Sequence, residues 1–351
     1  MNIRIKLAAV AAFAAAVPAF AQIKINDSLS VTGWSAASYQ YAHLKGSTGN
    51  PSASADSFNV DAALLGATIT PTKNVTATVS LYYRPSGGTA VPTGTVDNAG
   101  VSPNGSEVTL LDAYVTYDAG GGLTVTAGKF LSYLGYESFY APSDNMITLA
   151  NQQFLAPIPG YHEGVKFDYA VDKTTTFGFA LVDSLYPKPG YNATEGDGEL
   201  KHNAGAEGYI QYTGVNNLTL WFGAGYDSKG QAALGQVHDV YVLDLWASYQ
   251  IDKNSSVAVE EIYKDGGLIG TKGSNWLAYY QYNFTDKLSS WFGFSGEDVS
   301  QGGPRYWKAS VSPAYALTSN LSVKAQYSYT KYSKFTASSA NFFGGEVIFK
   351  F

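Results

Sequence analysis

The chain ends on Phe343-Gly344-Gly345-Glu346-Val347-Ile348-Phe349-Lys350-Phe351. Phe343, Gly345, Val347, Phe349 and Phe351 share one parity, and Gly344, Glu346 and Lys350 share the other. Successive side chains of a β-strand point to opposite faces, so this segment carries one oily face and one polar face. Similar short alternating segments recur throughout the chain. After Ala21 no uninterrupted apolar run approaches the ~20 residues that a membrane helix needs. Inside hydrocarbon every backbone N–H and C=O must find a partner within the protein, which only helices or a closed sheet allow. Alternation without helical runs therefore selects an all-β fold, a transmembrane antiparallel up-and-down β-barrel with oily side chains facing lipid and hydrophilic ones facing a wet interior.

Residues 1–21 read differently. Arg4 and Lys6 precede an Ala-rich apolar core from Leu7 to Val17, and Ala19 and Ala21 flank Phe20. A basic start, an apolar core and an A-x-A ending predict a secretory signal peptide cut after Ala21, leaving 22–351 as the barrel. Removing 1–21 takes away two of the 22 basic side chains, so 20 stand against 28 acidic ones, a balance of −8 that excludes a nucleic-acid binder. With no cysteine, neither disulfides nor thiolate metal sites are available. The 37 glycines, 27 tyrosines and 18 phenylalanines, with only 14% charged residues, point to a surface that largely does not face water.

Period-two segments bounded by turn residues predict sixteen strands, near 28–43, 57–71, 75–84, 107–118, 123–130, 161–170, 174–183, 205–214, 218–228, 239–251, 256–264, 275–284, 288–297, 305–317, 321–331 and 341–351. Short connections such as Thr72-Lys73-Asn74, Val171-Asp172-Lys173 and Thr318-Ser319-Asn320 alternate with long ones at 44–56, 85–106, 131–160, 184–204, 229–238, 265–274, 298–304 and 332–340. An even strand number, short periplasmic turns and long extracellular loops characterise bacterial outer-membrane barrels. A soluble sandwich has no reason to alternate its connections in this way.

Charge parity agrees. Val75, Ala77, Val79, Leu81 and Tyr83 share a face that Arg84 avoids, and Leu111, Ala113, Val115 and Tyr117 oppose Asp112. The same opposition turns Asp61, Lys166, Asp168, Glu207 and Asp244 toward the lumen, together with Lys308, Lys324, Glu346 and Lys350. Two residues dissent: Lys129 follows Leu123, Val125 and Ala127, at a strand end from which it could snorkel or be re-aimed by a bulge, and Glu261 follows Val257, Val259 and Tyr263, which suggests a bulge or a register error. Aromatic residues gather toward strand ends, the pattern of two interfacial girdles.

The stretches LDAYVTYD (111–118), GGGLTVTAGKFLSYLGYESF (120–139), APIPGYHEGVKFDY (156–169) and FALVDSLY (179–186) resemble the OmpL-like β-barrel porin family, with GKFLSYLG and APIPGY the most specific parts. The likeness spans most of the mature chain and implies an outer-membrane channel of Gram-negative-type bacteria. In general porins the loop after the fifth strand folds inward and narrows the channel, and the long connection 131–160 looks similar. That loop holds Glu137 and Asp144 and no Lys or Arg, and Glu163 opens the next strand. If the loop folds inward, its carboxylates are expected to face Arg84, Lys129 and Lys166, with Asp112, Asp168, Glu207, Asp244, Lys308, Lys324 and Glu346 completing the lumen wall. Opposed charges in a low-dielectric throat create a transverse field that orders water and disfavours apolar solutes. The inventory of lumen charges shows no strong surplus, so only a mild cation preference is expected.

Enzyme chemistry finds little support. His43, His162, His202 and His238 form no H-E-x-x-H pair, no G-x-S-x-G elbow occurs, and no cofactor or catalytic group is implied. Glu195, Asp197 and Glu199 could hold Ca²⁺ or bridge lipopolysaccharide through divalent ions, but a solvated acidic loop fits them better. About 22 strands and a plug would not fit in 330 residues, which sets aside a TonB-type transporter. The expected function is passive diffusion of small hydrophilic solutes and ions. The expected partners are outer-membrane lipid and lipopolysaccharide, the barrel-assembly machinery acting on Phe351, and two further copies in a homo-trimer. A non-conducting structural or adhesive barrel stays open as the alternative.

Overall fold

The computed structural model describes residues 22–84, 107–137, 143–150, 154–155, 158–186, 204–233, 236–266 and 272–351. A two-residue strand, β1 (Ile23–Lys24), pairs with the start of β2 (Leu29–Gly46). The wall continues through β3 (Ala53–Thr72), β4 (Val75–Arg84), β5 (Glu107–Gly120), β6 (Leu123–Leu131), β7 (Tyr161–Ala170), β8 (Thr175–Val182) and β9 (Gly205–Tyr212). It is completed by β10 (Leu218–Ala233), β11 (Gln236–Gln250), β12 (Ser255–Asp265), β13 (Lys272–Asn283), β14 (Leu288–Val299), β15 (Arg305–Ala316), β16 (Leu321–Ser333) and β17 (Ala337–Lys350). From β2 to β17 each strand pairs antiparallel with the next, and β17 pairs back onto β2 from Lys350↔Trp34 to Ala337↔Gly46. The sheet is therefore a closed sixteen-strand barrel with no free edge. Phe351 completes the seam: its N–H donates to the Gly33 carbonyl and the Gly33 N–H to its carbonyl, each at 2.8 Å.

The oily parity faces outward. Leu81, Val115, Phe222 and Val347 are each about half exposed, while Tyr82, Asp112, Trp221 and Glu346 on the opposite parity are buried. No helix among the described residues is long and apolar enough to cross a membrane.

Four details add to or change the sequence reading. Several strands run past their expected upper ends, so that β10 reaches Ala233 and β11 starts at Gln236, and the connection expected at 229–238 is mostly paired ladder. Ser80 and Leu81 pair with Asp112 and Leu110, which makes Leu111 an extra residue in a β-bulge. Leu111 therefore turns inward beside Asp112, and Leu110 takes the outer face. A second bulge inserts Asp61 between Val60 and Ala62, so that Asp61 and Ala62 both point inward. Glu261 has neither a bulge nor a register slip: β12 pairs without interruption on both sides, and Glu261 stands exposed on the outer face opposite Leu245 and Trp276.

The short turns are built from local chemistry. Asp172 Oδ1 accepts the Thr174 and Thr175 N–H groups at 2.7 and 2.9 Å, and Asp252 Oδ1 accepts those of Asn254 and Ser255 at 2.7 and 2.9 Å. Thr285 and Thr318 hydroxyls repeat the device. Gly120, Gly121 and Gly122 all have positive φ, a conformation that side-chain-bearing residues rarely adopt, and they close the β5–β6 hairpin.

Candidate functional site

The connection after β6 folds into the barrel and is fastened there strand by strand. Leaving Leu131, Ser132 Oγ donates to Glu207 at 2.6 Å and the Tyr133 N–H to the same carboxylate at 3.0 Å. The Gly135 N–H donates to Asp244 at 2.8 Å and the Tyr136 N–H to Glu260 at 2.5 Å. Further along, Gln326 Oε1 accepts the N–H groups of Ile147 and Thr148 at 2.5 and 3.0 Å, and its amide donates to the Thr148 hydroxyl at 2.7 Å. The Phe154 N–H donates to Glu297 at 2.6 Å. Lysines take the carbonyls: Lys324 reaches Asp144 O at 2.8 Å, Lys264 reaches Leu155 O at 3.3 Å, and Lys308 donates to Leu149 O. Wall carboxylates thus collect loop N–H groups and wall lysines collect loop carbonyls. This satisfies backbone polar groups that would be costly to leave unpaired away from water.

Apolar contacts share the work. Leu134 and Ile158 from the loop pack with Phe130, Val182, Val240, Val242 and Ile262, and Met146 packs with Leu277 and Tyr279. Gly223 lets the loop approach, since a Cβ there would lie 2.5 Å from Leu134. The next connection also turns inward at its start: Asp227 accepts from Ser184 Oγ at 2.8 Å and from the Leu185 and Tyr186 N–H groups at 3.0 and 3.2 Å. Lys264 Nζ sits 3.8 Å over the Tyr186 ring and ties the two connections together.

Most of the residues singled out from sequence lie on the inner face. Asp112, Asp168, Glu207, Asp244, Lys308, Lys324 and Glu346 are buried there, and Lys166 lies over the Phe130 and Tyr133 rings at 5.0 and 4.9 Å. Asp168 accepts from Tyr209 OH at 3.0 Å, and Lys324 lies 3.6 Å from Glu346. Arg84 is on the inward parity of β4 opposite Glu107, and its side chain falls outside the described residues.

Two placements are corrected. Lys129 and Glu163 face outward, because β6 and β7 keep strict alternation with Phe130 and His162 inside. Lys129 Nζ finds the Leu110 carbonyl at 3.1 Å. The charge opposition is also differently arranged from the expected one. Glu137 turns to the far wall, where it accepts from Tyr279 OH at 2.5 Å and from the Ala150 N–H at 2.8 Å, with Lys308 as its nearby base. Burial pushes its carboxyl above the ordinary value despite those partners. The Asp144 segment meets Lys324. Neither carboxylate meets Lys129, which is on the outside.

The sequence reading passed over Asp227, Glu260, Lys264, Tyr279, Glu297 and Gln326, all of which grip the inward connections. Parity was the available signal: Glu260 shares the inward parity of Ala258 and Ile262, and Asp227 that of Trp221. The inner wall is also more acidic than the sequence inventory suggested. Around the loop Asp61, Asp112, Asp168, Glu207, Asp227, Asp244, Glu260, Glu297 and Glu346 stand against Lys166, Lys264, Lys308 and Lys324. His202 and the Glu195, Asp197 and Glu199 cluster lie outside the described residues, and no group able to hold a metal ion occurs among those described.

A closed sixteen-strand barrel with an oily exterior, a polar and charged interior and a long connection folded into its lumen is the architecture of an outer-membrane channel protein. The family profile described as "Putative beta-barrel porin-2, OmpL-like" matches residues 28–351, and the chain belongs to that family of outer-membrane porins. A search of curated proteins finds no matching sequence. Solved structures share the fold. The outer membrane channel DcaP of Acinetobacter baumannii aligns with a TM-score of 0.64 at 10% identity, covering 94% of this chain and 100% of that one. An anion-selective porin from Comamonas acidovorans aligns at 0.65 and 12% identity, covering 92% and 99%. OprB of Pseudomonas putida aligns at 0.66 and 13% identity, covering 92% and 94%.

Proposed function

We propose that this porin passes small hydrophilic solutes by passive diffusion, with a mild preference for cations and with the loop after β6 as its constriction. The observation that carries the reading is the inner wall, where buried carboxylates outnumber lysines beside the inward-folded loop. Fixed negative charge in a low-dielectric throat concentrates cations and repels anions. The reading involves no catalytic step. In planar bilayers the purified chain is expected to give stepwise openings, with a reversal potential in a KCl gradient on the cation side. Anion selectivity would overturn the preference, and graded sugars in a liposome-swelling assay would give the size cutoff.

A second reading, a barrel closed by its own loop, has one specific observation behind it. Met146, Ile147, Thr148, Leu149 and Ala150 are all buried, so this stretch shows no side to a water-filled path. Complete absence of conductance steps from folded protein would favour it.

The proposal also includes cleavage after Ala21, assembly as a trimer and contact with lipopolysaccharide. One similar fold, OmpT of Vibrio cholerae, is described in a trimer form. The position of Phe351 on the closing seam supports a role for it in barrel assembly.

A further inference from the structure

The outer surface is not evenly charged. By backbone register, one row across four strands runs Trp307, Lys331, Ser339, Lys45. The row beneath it runs Tyr329, Asn341, His43, and the next runs Tyr327, Phe343, Tyr41. Lys331 and Lys45 are exposed and share the outward parity of Tyr327 and Tyr41. Their Cα atoms are two strand spacings apart, about 10 Å. None of the ion pairs between described residues involves either lysine. Of the carboxylates on this face, Asp56 lies two rows below Lys45, opposite Tyr41, and is approached by Tyr39 OH at 3.4 Å, and Asp298 lies one row above Lys331 and two strands away. Lys334 in the adjoining turn adds positive charge, and Arg305 is paired with Asp298 at 2.7 Å. On the other side of the barrel the outward positions of β7, β11 and β12 instead carry Glu163, Asp239 and Glu261.

A pair of free ammonium groups directly above exposed aromatic rings matches an amphiphile with an anionic head and an apolar body, because rings of this kind settle at the headgroup level with cations above them. We propose that the β15–β16–β17–β2 sector docks a phosphate-bearing lipid of the outer leaflet, its phosphate between Lys331 and Lys45 and its acyl chains along Tyr327, Phe343 and Tyr41. The proposal rests on the outer-membrane orientation argued above. It does not depend on the lumen being open.

The test is native mass spectrometry of the full chain in non-ionic detergent, after incubation with lipid A or with enzymatically dephosphorylated lipid A. The unmodified protein is expected to retain lipid A, and the double variant K45Q/K331Q to retain at least tenfold less. K45R/K331R should restore retention, and K253Q/K287Q, altered in the short turns at the opposite end, should leave it unchanged. Heat-modifiability on gels confirms that each variant is folded. Undiminished retention by K45Q/K331Q, an equal loss in K253Q/K287Q, or equal retention of the dephosphorylated lipid overturns the proposal. So does a change of oligomeric state in K45Q/K331Q with lipid A retention intact, which would assign the sector to contact between copies. Single-channel recording of the same samples separates this outcome from the channel reading, because K45Q/K331Q should conduct as the unmodified protein does.

Discussion

The short-turn end of the barrel and the loop packed inside it are held by opposite kinds of contact. Asp172 closes its turn by bonding to Thr174 and Thr175, two and three residues away, and Asp252 does the same with Asn254 and Ser255. The inward loop bonds to itself at Glu137 and Ala150, but most of its anchors come from far along the chain. Tyr133 is held by Glu207, 74 residues on, and Asp144 by Lys324, 180 residues on. A turn of the first kind can form as soon as its hairpin does, whereas the loop's anchors are assembled only when distant strands stand side by side. The placement of the inward loop is therefore a consequence of barrel closure, and its order should be lost before the wall's when anchors are removed.

The sharpest way to break that comparison is to remove Glu207, which also accepts from His162 Nε2 at 3.0 Å in a fully buried setting. Glu207→Ala strands the Tyr133 N–H, the Ser132 hydroxyl and His162 together. Removing one partner from a buried charged network typically costs ~3–5 kcal/mol. The urea midpoint for unfolding from lipid vesicles should fall accordingly, with current through the channel becoming noisy. An unchanged midpoint and quiet current would mean that the loop is not held from the wall. Next in size is a test of the wall itself. Leu81→Arg places a charge on the lipid face and should cost ~2–4 kcal/mol near the bilayer midplane, while Thr78→Arg, on the inward parity of the same strand, should cost far less. Equal costs would show that the two faces have been assigned wrongly.

This contrast also explains what could be read from the chain. The wall follows from period-two alternation and turn residues, both local signals, so strand order and the outward parity of Val347 or Leu81 were legible in advance. Leu111 was misplaced because a bulge leaves no mark in a pattern where Leu110 and Leu111 are equally apolar. Lys129 and Glu163 were drawn into the channel by their charge against the parity of Phe130 and His162. Glu260 stands beside the outward Glu261, and two adjacent carboxylates blur the alternation that would mark the inner face. That Gln326 meets Ile147 depends on which strands face the folded loop, a relation that no window of sequence contains.

Gln326 is a milder probe of the same anchoring. Gln326→Ala takes the shared acceptor from two consecutive N–H groups and the donor from the Thr148 hydroxyl. Unsatisfied buried groups of this type cost ~1–3 kcal/mol. Because the contact fastens the loop without joining two strands, most of the effect should fall on the loop. Hydrogen exchange should rise at Ile147 and Thr148 while the β16–β17 ladder stays protected, and brief flickers should appear in single-channel records. Uniform loss of protection along β16 would instead make Gln326 part of the wall's own stability.

At the other end, Asp172 gives the smallest effect and a sign that can be checked. Hydrogen bonds from Thr174, foremost its backbone N–H, and from the Thr175 N–H hold the Asp172 carboxyl below its ordinary value. A carboxylate favoured in the folded state contributes stability above its unfolded pKa of roughly 3.9, and that contribution is lost as pH falls through the lower folded value. The unmodified protein should therefore lose more stability than Asp172→Asn between about pH 5 and pH 2, with the two curves converging at the acid end. Asp252, held below its ordinary value by the Asn254 and Ser255 N–H groups, should behave alike. The two turns share no partner, so the double variant should show the sum of the single effects. A pH response in Asp172→Asn as steep as in the unmodified protein would place the acid sensitivity in the buried carboxylates around the loop, and the turns would then contribute geometry without charge.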